Sequence, residues 1–243
     1  MPALEKEMAE SLSLVLLSNA AHGFGTETLS GLGEITLRDG LVAGAASIGA
    51  RRNAAWIIER EHKPQDWNSG NIDLTVWRKR RRQKEWFCSA ELKWWHRNDT
   101  SNASNRRADL IRDFIRAGSV YPRLLQPDKM SFVLLLSTQA SWGTTVERHE
   151  AGDHALCTHW KRAYATQSWD LKALKVCPGL RTAVKELRQM GVKIPNIIHS
   201  DLTYSVSIRQ QRSQRGEVRC WSVRKPQNST FLDDGELDEI LGG

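Results

Sequence analysis

The stretch Asn71–Trp95 constrains this chain more than any other. Two apolar, partly alternating runs, Asn71-Ile72-Asp73-Leu74-Thr75-Val76-Trp77 and Glu85-Trp86-Phe87-Cys88-Ser89-Ala90-Glu91-Leu92-Lys93-Trp94-Trp95, flank the connector Arg78-Lys79-Arg80-Arg81-Arg82-Gln83-Lys84. Runs of this length, rich in Ile, Val, Leu, Phe and Trp, read as strands, and a polar connector between them reads as a hairpin turn. Side chains two apart on a strand share a face, so Glu91 and Lys93 project together. In an antiparallel pair Asp73 reaches the same spot. Two carboxylates and an ammonium gathered inside a fold are unfavourable unless something compensates them, and a divalent cation would.

An acid-bearing strand followed by Glu91-Leu92-Lys93 resembles the restriction-endonuclease-like superfamily, whose signature is written PD-(D/E)XK. Asp73 matches the first acid, Glu91 the second and Lys93 the lysine, while Ile72 stands where the signature has proline. Acid-x-lysine also occurs at Glu61-His62-Lys63 and Asp170-Leu171-Lys172, but in polar, helix-like sequence. The resemblance covers about residues 50–137. It implies an α/β (α+β) fold, a central mixed β-sheet flanked by helices, in the order helix, strand, strand, helix, strand. It further implies that Asp73 and Glu91 hold Mg²⁺, with Mn²⁺ as a substitute, and that the Leu92 backbone carbonyl is another ligand. Lys93 would orient or deprotonate the attacking water and stabilise developing negative charge. Some members take an extra acid from the helix before the hairpin, and Glu59 is the candidate here. The activity implied is metal-dependent hydrolysis of DNA phosphodiesters, as in restriction, repair, recombination or mobile-element endonucleases. The alternative is a non-catalytic nucleic-acid-binding or scaffold protein on the same fold.

Charge points to the same class of partner. The net charge of +7 and pI of about 9.4 suit a polyanion. Six cations crowd the seven residues 78–84: Arg78, Lys79, Arg80, Arg81, Arg82 and Lys84. A block that dense repels itself unless an anion lies near, and contact with backbone phosphates sets affinity rather than sequence preference. A nuclear-localisation reading fits the same residues. The charge pattern is read as binding DNA, with RNA left open, and a homodimer would let two sites cut two strands. The apolar segment Leu12–Leu17 is short and follows an acidic start, and no run approaches the roughly 20 apolar residues of a membrane helix. Four dispersed cysteines, none in a CxxC pair, fit reduced thiols. The expectation is a soluble, intracellular, cytoplasmic protein without a membrane partner.

Along the chain, residues 1–225 read as one nuclease-like domain. Helical spacing of Leu4, Met8, Leu12, Val15 and Leu16 predicts a helix over 3–21, and Glu34–Arg38 a short strand closed by Asp39-Gly40. Residues 50–62 read as a helix ending before Pro64, and 106–117 as a helix with Asp109 and Asp113 in surface ion pairs. Ser131–Ser137 is a continuous apolar run, hence a strand covered on both faces at the centre of a sheet. Residues 147–159 offer three histidines and a cysteine, in a spacing that matches no common zinc pattern. Residues 160–190 read as two helices broken at Pro178-Gly179, followed by a C-terminal β-hairpin over 203–224. The end, 226–243, reads as an acidic flexible tail able to shield the basic surface or bind a protein partner.

Overall fold

A computed structural model describes residues 3–25, 34–81, 83–95, 102–120, 130–148, 151–161, 166–175, 177–208 and 216–242. The fold is mixed α and β. Strands β1 (Trp56–His62), β2 (Ile72–Arg80), β3 (Gln83–Trp95), β4 (Met130–Thr138), β5 (Gln167–Asp170), β6 (Ile197–Ile208) and β7 (Gly216–Arg224) form one seven-stranded sheet in the order β1-β2-β3-β4-β7-β6-β5. Only β3 and β4 run parallel; every other neighbouring pair is antiparallel. The apolar run of β4 takes the central place, because a strand with Phe132, Val133, Leu134, Leu135 and Leu136 all fully buried needs cover on both faces.

Helices supply that cover. On one face lie α1 (Ala3–Gly25) and α2 (Glu34–Arg51). Their Met8, Leu12, Leu16, Leu37, Leu41 and Ile48 meet Leu74, Val76, Phe87, Leu92, Leu134 and Val218 of the sheet. The other face carries α3 (Ala103–Ser119), α5 (His154–Lys161), α6 (Pro178–Gln189) and α7 (Asp234–Leu241). There Phe114 packs on Trp169 and Trp221 at ring-centroid distances of 4.6 and 5.4 Å. Each fully buried Leu, Ile or Phe contributes roughly 1.5–3 kcal/mol. Three elements follow β4 and precede α5: α4 (Gln139–Trp142), a π-helical turn (Gly143–Glu147) and a 3₁₀ turn (Ala151–Asp153). Among the described residues no helix is long and apolar enough to cross a membrane.

Several local expectations are corrected. Glu34–Arg38 is the first turn of α2, not a strand. Leu37, Leu41, Ala45 and Ile48 face α1 at helical spacing, and Gly44 permits close approach, since a Cβ there would lie 3.1 Å from Val15 Cγ2. Residues 56–62, expected as helix, form the edge strand β1, where Trp56 and Ile58 add to the α1–α2 side of the core; pairing with β2 outweighs helix propensity. The segment 160–190 holds the end of α5, then β5, then α6, which begins with Pro178 at its first turn. The hairpin β6–β7 extends the central sheet.

The acidic end is ordered as a helix rather than a flexible tail. Asp233 and Glu236 form a reciprocal capping box at the start of α7, and Gly242 closes it in the left-handed region. Leu237 and Ile240 enter the core, and Arg188 meets both Asp234 (3.2 Å) and Asp238 (2.6 Å). Charge dominates the composition of this segment, but two apolar residues at i and i+3 are enough to dock it.

Candidate active site

Asp73 on β2 and Glu91 on β3 come together at one end of the sheet. The register Leu74↔Ala90 leads directly to Asp73 opposite Glu91. Leu74, Ala90 and Leu92 point to the α1–α2 core, so alternation turns Asp73, Glu91 and Lys93 to the opposite face, toward α3. The Leu92 N–H donates to Asp73 Oδ2 at 2.7 Å. That hydrogen bond fixes the Asp73 carboxylate against the Leu92 backbone, whose carbonyl the resemblance names as a further metal ligand.

Both acids are buried, Asp73 at 8% exposure and Glu91 at 2%. Each faces an arginine: Arg38 Nε of α2 lies 2.7 Å from Asp73 Oδ1, and Arg116 Nη2 of α3 lies 3.1 Å from Glu91 Oε1. Arg116 also donates to the Asn71 carbonyl. Burial, reinforced by neighbouring carboxylates, pushes the Glu91 carboxyl well above the ordinary range and raises Asp73 as well. Lys93 Nζ lies 3.3 Å from Asp113 Oδ2, and that carboxylate holds the ammonium above the usual lysine value.

Four residues join this cluster that no sequence motif singles out: Glu34, Arg38, Asp113 and Arg116. Glu34 opens α2, and burial raises its carboxyl, with Lys93, Arg38, Asp73 and Asp113 near enough to act on it electrostatically. Its signal in the sequence is the i,i+4 spacing of Glu34 and Arg38, which pair at 3.4 Å; a strand over the same residues hides that spacing. Asp113, expected in a surface ion pair, is instead fully buried between Lys93 and Arg116 (3.7 Å), while Asp109 keeps the expected helix pair with Arg112 at 2.8 Å.

Glu59 is not part of the site. Its carboxylate accepts from Trp77 Nε1 at 2.8 Å and meets Lys84 at 2.7 Å and His62 at 2.9 Å. It lies on edge strand β1, opposite Thr75. Among the described residues of 147–159, no His, Cys, Asp or Glu set converges on a point that could hold a metal either. Asp153 is bound to Arg107, burial pushes the Cys157 thiol up to about 12, and His159 stands edge-on to Trp169 at 5.8 Å. His149 and Glu150 fall outside the described residues.

The basic connector is shorter than the sequence implies, since β2 runs to Arg80 and β3 starts at Gln83. Seven residues along β2 at about 3.3 Å each place its tip roughly 23 Å from Asp73, so the block does not adjoin the acids. Arg78 stacks on Phe87 at 3.8 Å and Lys84 lies over Trp77 at 4.6 Å. Lys79 and Arg81 are exposed, and Arg81 turns the chain with φ +52°. Arg82, the Arg80 side chain and loop residues 96–101 lie outside what is described.

The donor set suits a hard divalent cation: buried carboxylate oxygens, held at unfavourable charge, with arginine guanidiniums standing in for a cation. In the present arrangement, among the described residues, no three His, Cys, Asp or Glu side chains converge on one point that could hold a metal ion. The chain matches no protein-family model, and comparison with curated proteins and with solved structures returns no match.

Proposed function

We propose that this chain is a metal-dependent nuclease that hydrolyses phosphodiester bonds in DNA, with Mg²⁺ as the ion and Mn²⁺ as a substitute. One observation carries the reading: Asp73 and Glu91 face each other across β2 and β3, buried, with raised carboxyls, and Lys93 projects beside them. Packing alone does not call for such a cluster, since apolar residues of similar volume are often as stable as a buried ion network. The order α2, β1, β2, β3, α3, β4 supports the restriction-endonuclease-like resemblance, with β1 interposed between the leading helix and the hairpin.

In this reading Asp73 and Glu91 hold the ion, and Asp113 of α3, whose charge acts on both, is a further acid at the site. A bound Mg²⁺ would supply charge neutralisation at the phosphate. Leu92 fixes Asp73 through its N–H, and Arg116 orients Glu91. Lys93, beside Asp113 at 3.3 Å, is placed to orient the attacking water and to steady negative charge. Lys79 and Arg81 at the exposed hairpin tip contact phosphates about 20 Å away from the cut.

The second reading is a non-catalytic nucleic-acid-binding or scaffold protein. It is favoured by the arginine already paired with each acid. Supercoiled plasmid with Mg²⁺, with and without EDTA, separates the two. Metal-dependent nicking by wild type that disappears in Glu91→Ala supports the nuclease. DNA binding without cleavage by either protein moves the assignment to the second reading.

A further inference from the structure

We infer that Arg38 is a resident counter-ion that gives up Asp73 when a divalent cation is held there, so that Arg38 and Glu61 set the metal affinity of the site. The inference rests on the metal-dependent reading proposed for this site. It starts from the two oxygens of Asp73. Oδ2 accepts the Leu92 N–H at 2.7 Å, a bond between neighbouring strands of the sheet. Oδ1 has Arg38 Nε at 2.7 Å. Oδ2 is fixed by the backbone of the neighbouring strand, whereas the partner of Oδ1 is a side chain that can move aside.

Arg38 is built to be held and also to leave. Its guanidinium touches three carboxylates from three elements: Asp73 of β2, Glu61 of β1 at 3.0 Å and Glu34 of α2 at 3.4 Å. Its approach to Asp73 is ionic, without the alignment of a hydrogen bond at Nε. One fifth of the Arg38 side chain is exposed, and half of Glu61. Arg116, the partner of Glu91, is more deeply buried and is also tied to Asn71 and Asp113. Of the two arginines, Arg38 is therefore the exchangeable one. Glu61 sits within β1 at φ +54°, in the left-handed region that a non-glycine residue seldom adopts. That backbone turn presents the Glu61 carboxylate to Arg38 Nη1.

When a site is open to ligand only for the fraction of time that its internal occupant is away, the apparent dissociation constant rises in inverse proportion to that fraction. Weakening the occupant tightens binding. The test is Mg²⁺ titration followed by thermal shift, on wild type, Arg38→Gln, Glu61→Gln and Arg60→Gln, each first checked for a cooperative metal-free melt. Arg38→Gln should lower the Mg²⁺ midpoint about tenfold, as expected for a site open roughly one tenth of the time. Glu61→Gln, which loosens Arg38 without touching Asp73, should lower it too. That sign is decisive, because removing a negative charge by itself weakens cation binding. Arg60→Gln removes a positive charge from the same strand, where Arg60 pairs with Asp39, and should leave the midpoint within about twofold. The inference is overturned if Glu61→Gln leaves the midpoint unchanged or raises it, or if Arg60→Gln acts as strongly as Arg38→Gln. Should Arg38→Gln not fold, the other two variants decide alone. A wild type that shows no response to Mg²⁺ at any concentration overturns the metal reading itself and this inference with it.

Discussion

Asp153→Asn tests the frame on which the site is mounted. Helix α3 carries Asp113 and Arg116, and its first turns are fixed by Arg107. Arg107 Nε donates to Asp153 Oδ2 at 2.6 Å, and Arg107 Nη1 to the Thr145 carbonyl at 3.1 Å. The other oxygen, Asp153 Oδ1, accepts the Gly179 N–H of α6 at 3.4 Å. The two side chains are 3% and 1% exposed, so neither charge is screened by water. Asparagine keeps the shape and an acceptor but takes from the buried guanidinium the carboxylate charge at 2.6 Å. Breaking a buried pair in this way costs about 3–5 kcal/mol, which lowers the melting temperature by roughly 6–20 °C for a chain in this size range. Urea unfolding followed by tryptophan fluorescence should show a lower midpoint at unchanged slope. The double variant Arg107→Met, Asp153→Leu removes both charges and should recover most of the stability. A single-variant effect below about 1 kcal/mol, the range of exposed pairs, would refute the reasoning. A double variant as unstable as the single one would show that shape, not charge balance, is what matters there.

Four further outcomes are expected. Mg²⁺ at 100 times its dissociation constant should stabilise the protein by about 2.7 kcal/mol, and the shift seen by calorimetry should grow with pH, because the raised Asp73 and Glu91 carboxyls must release their protons to bind it. Without metal, Glu91→Gln should gain on wild type as pH rises from the ordinary carboxylate range through the higher folded value of Glu91; below that range both states are protonated and the difference disappears. Measuring the two melting curves across pH checks this, and a difference that shrinks with rising pH would contradict it. Neutralising Lys79 and Arg81 should reduce the salt slope of DNA binding by about one for each phosphate that is no longer neutralised, read by fluorescence anisotropy across salt. Ile240→Ala in α7, fully buried, should destabilise by roughly 2–5 kcal/mol in chemical unfolding; a change near zero would return the C-terminal segment to a dispensable tail.

What the residues announce and what they conceal divide along the range of the interactions. Strands β2, β3 and β4 are legible because their apolar and aromatic runs admit few other states. The convergence of Asp73 with Glu91 and Lys93 follows from two-residue periodicity and one hairpin, both local rules. Residues 34–38 and 50–62 mislead because their short apolar clusters carry too little periodicity to separate helix from strand. There the decision belongs to the partner: α1 lies against one and β2 pairs with the other. The connector cations are near the acids in sequence, but strand length carries them away in space, and the Glu59 carboxylate is drawn to Trp77, Lys84 and His62 instead. Asp113, Arg116 and Arg38 do not stand out as site residues, because a helix charge looks the same whether it meets water or a buried carboxylate. That β2, β3 and β4 form, and that Asp73, Glu91 and Lys93 share a face, is therefore written in the chain itself, since backbone geometry sets both within a few residues. Which cations balance those acids is settled by the folded arrangement alone, because burial and charge pairing depend on elements far apart along the chain.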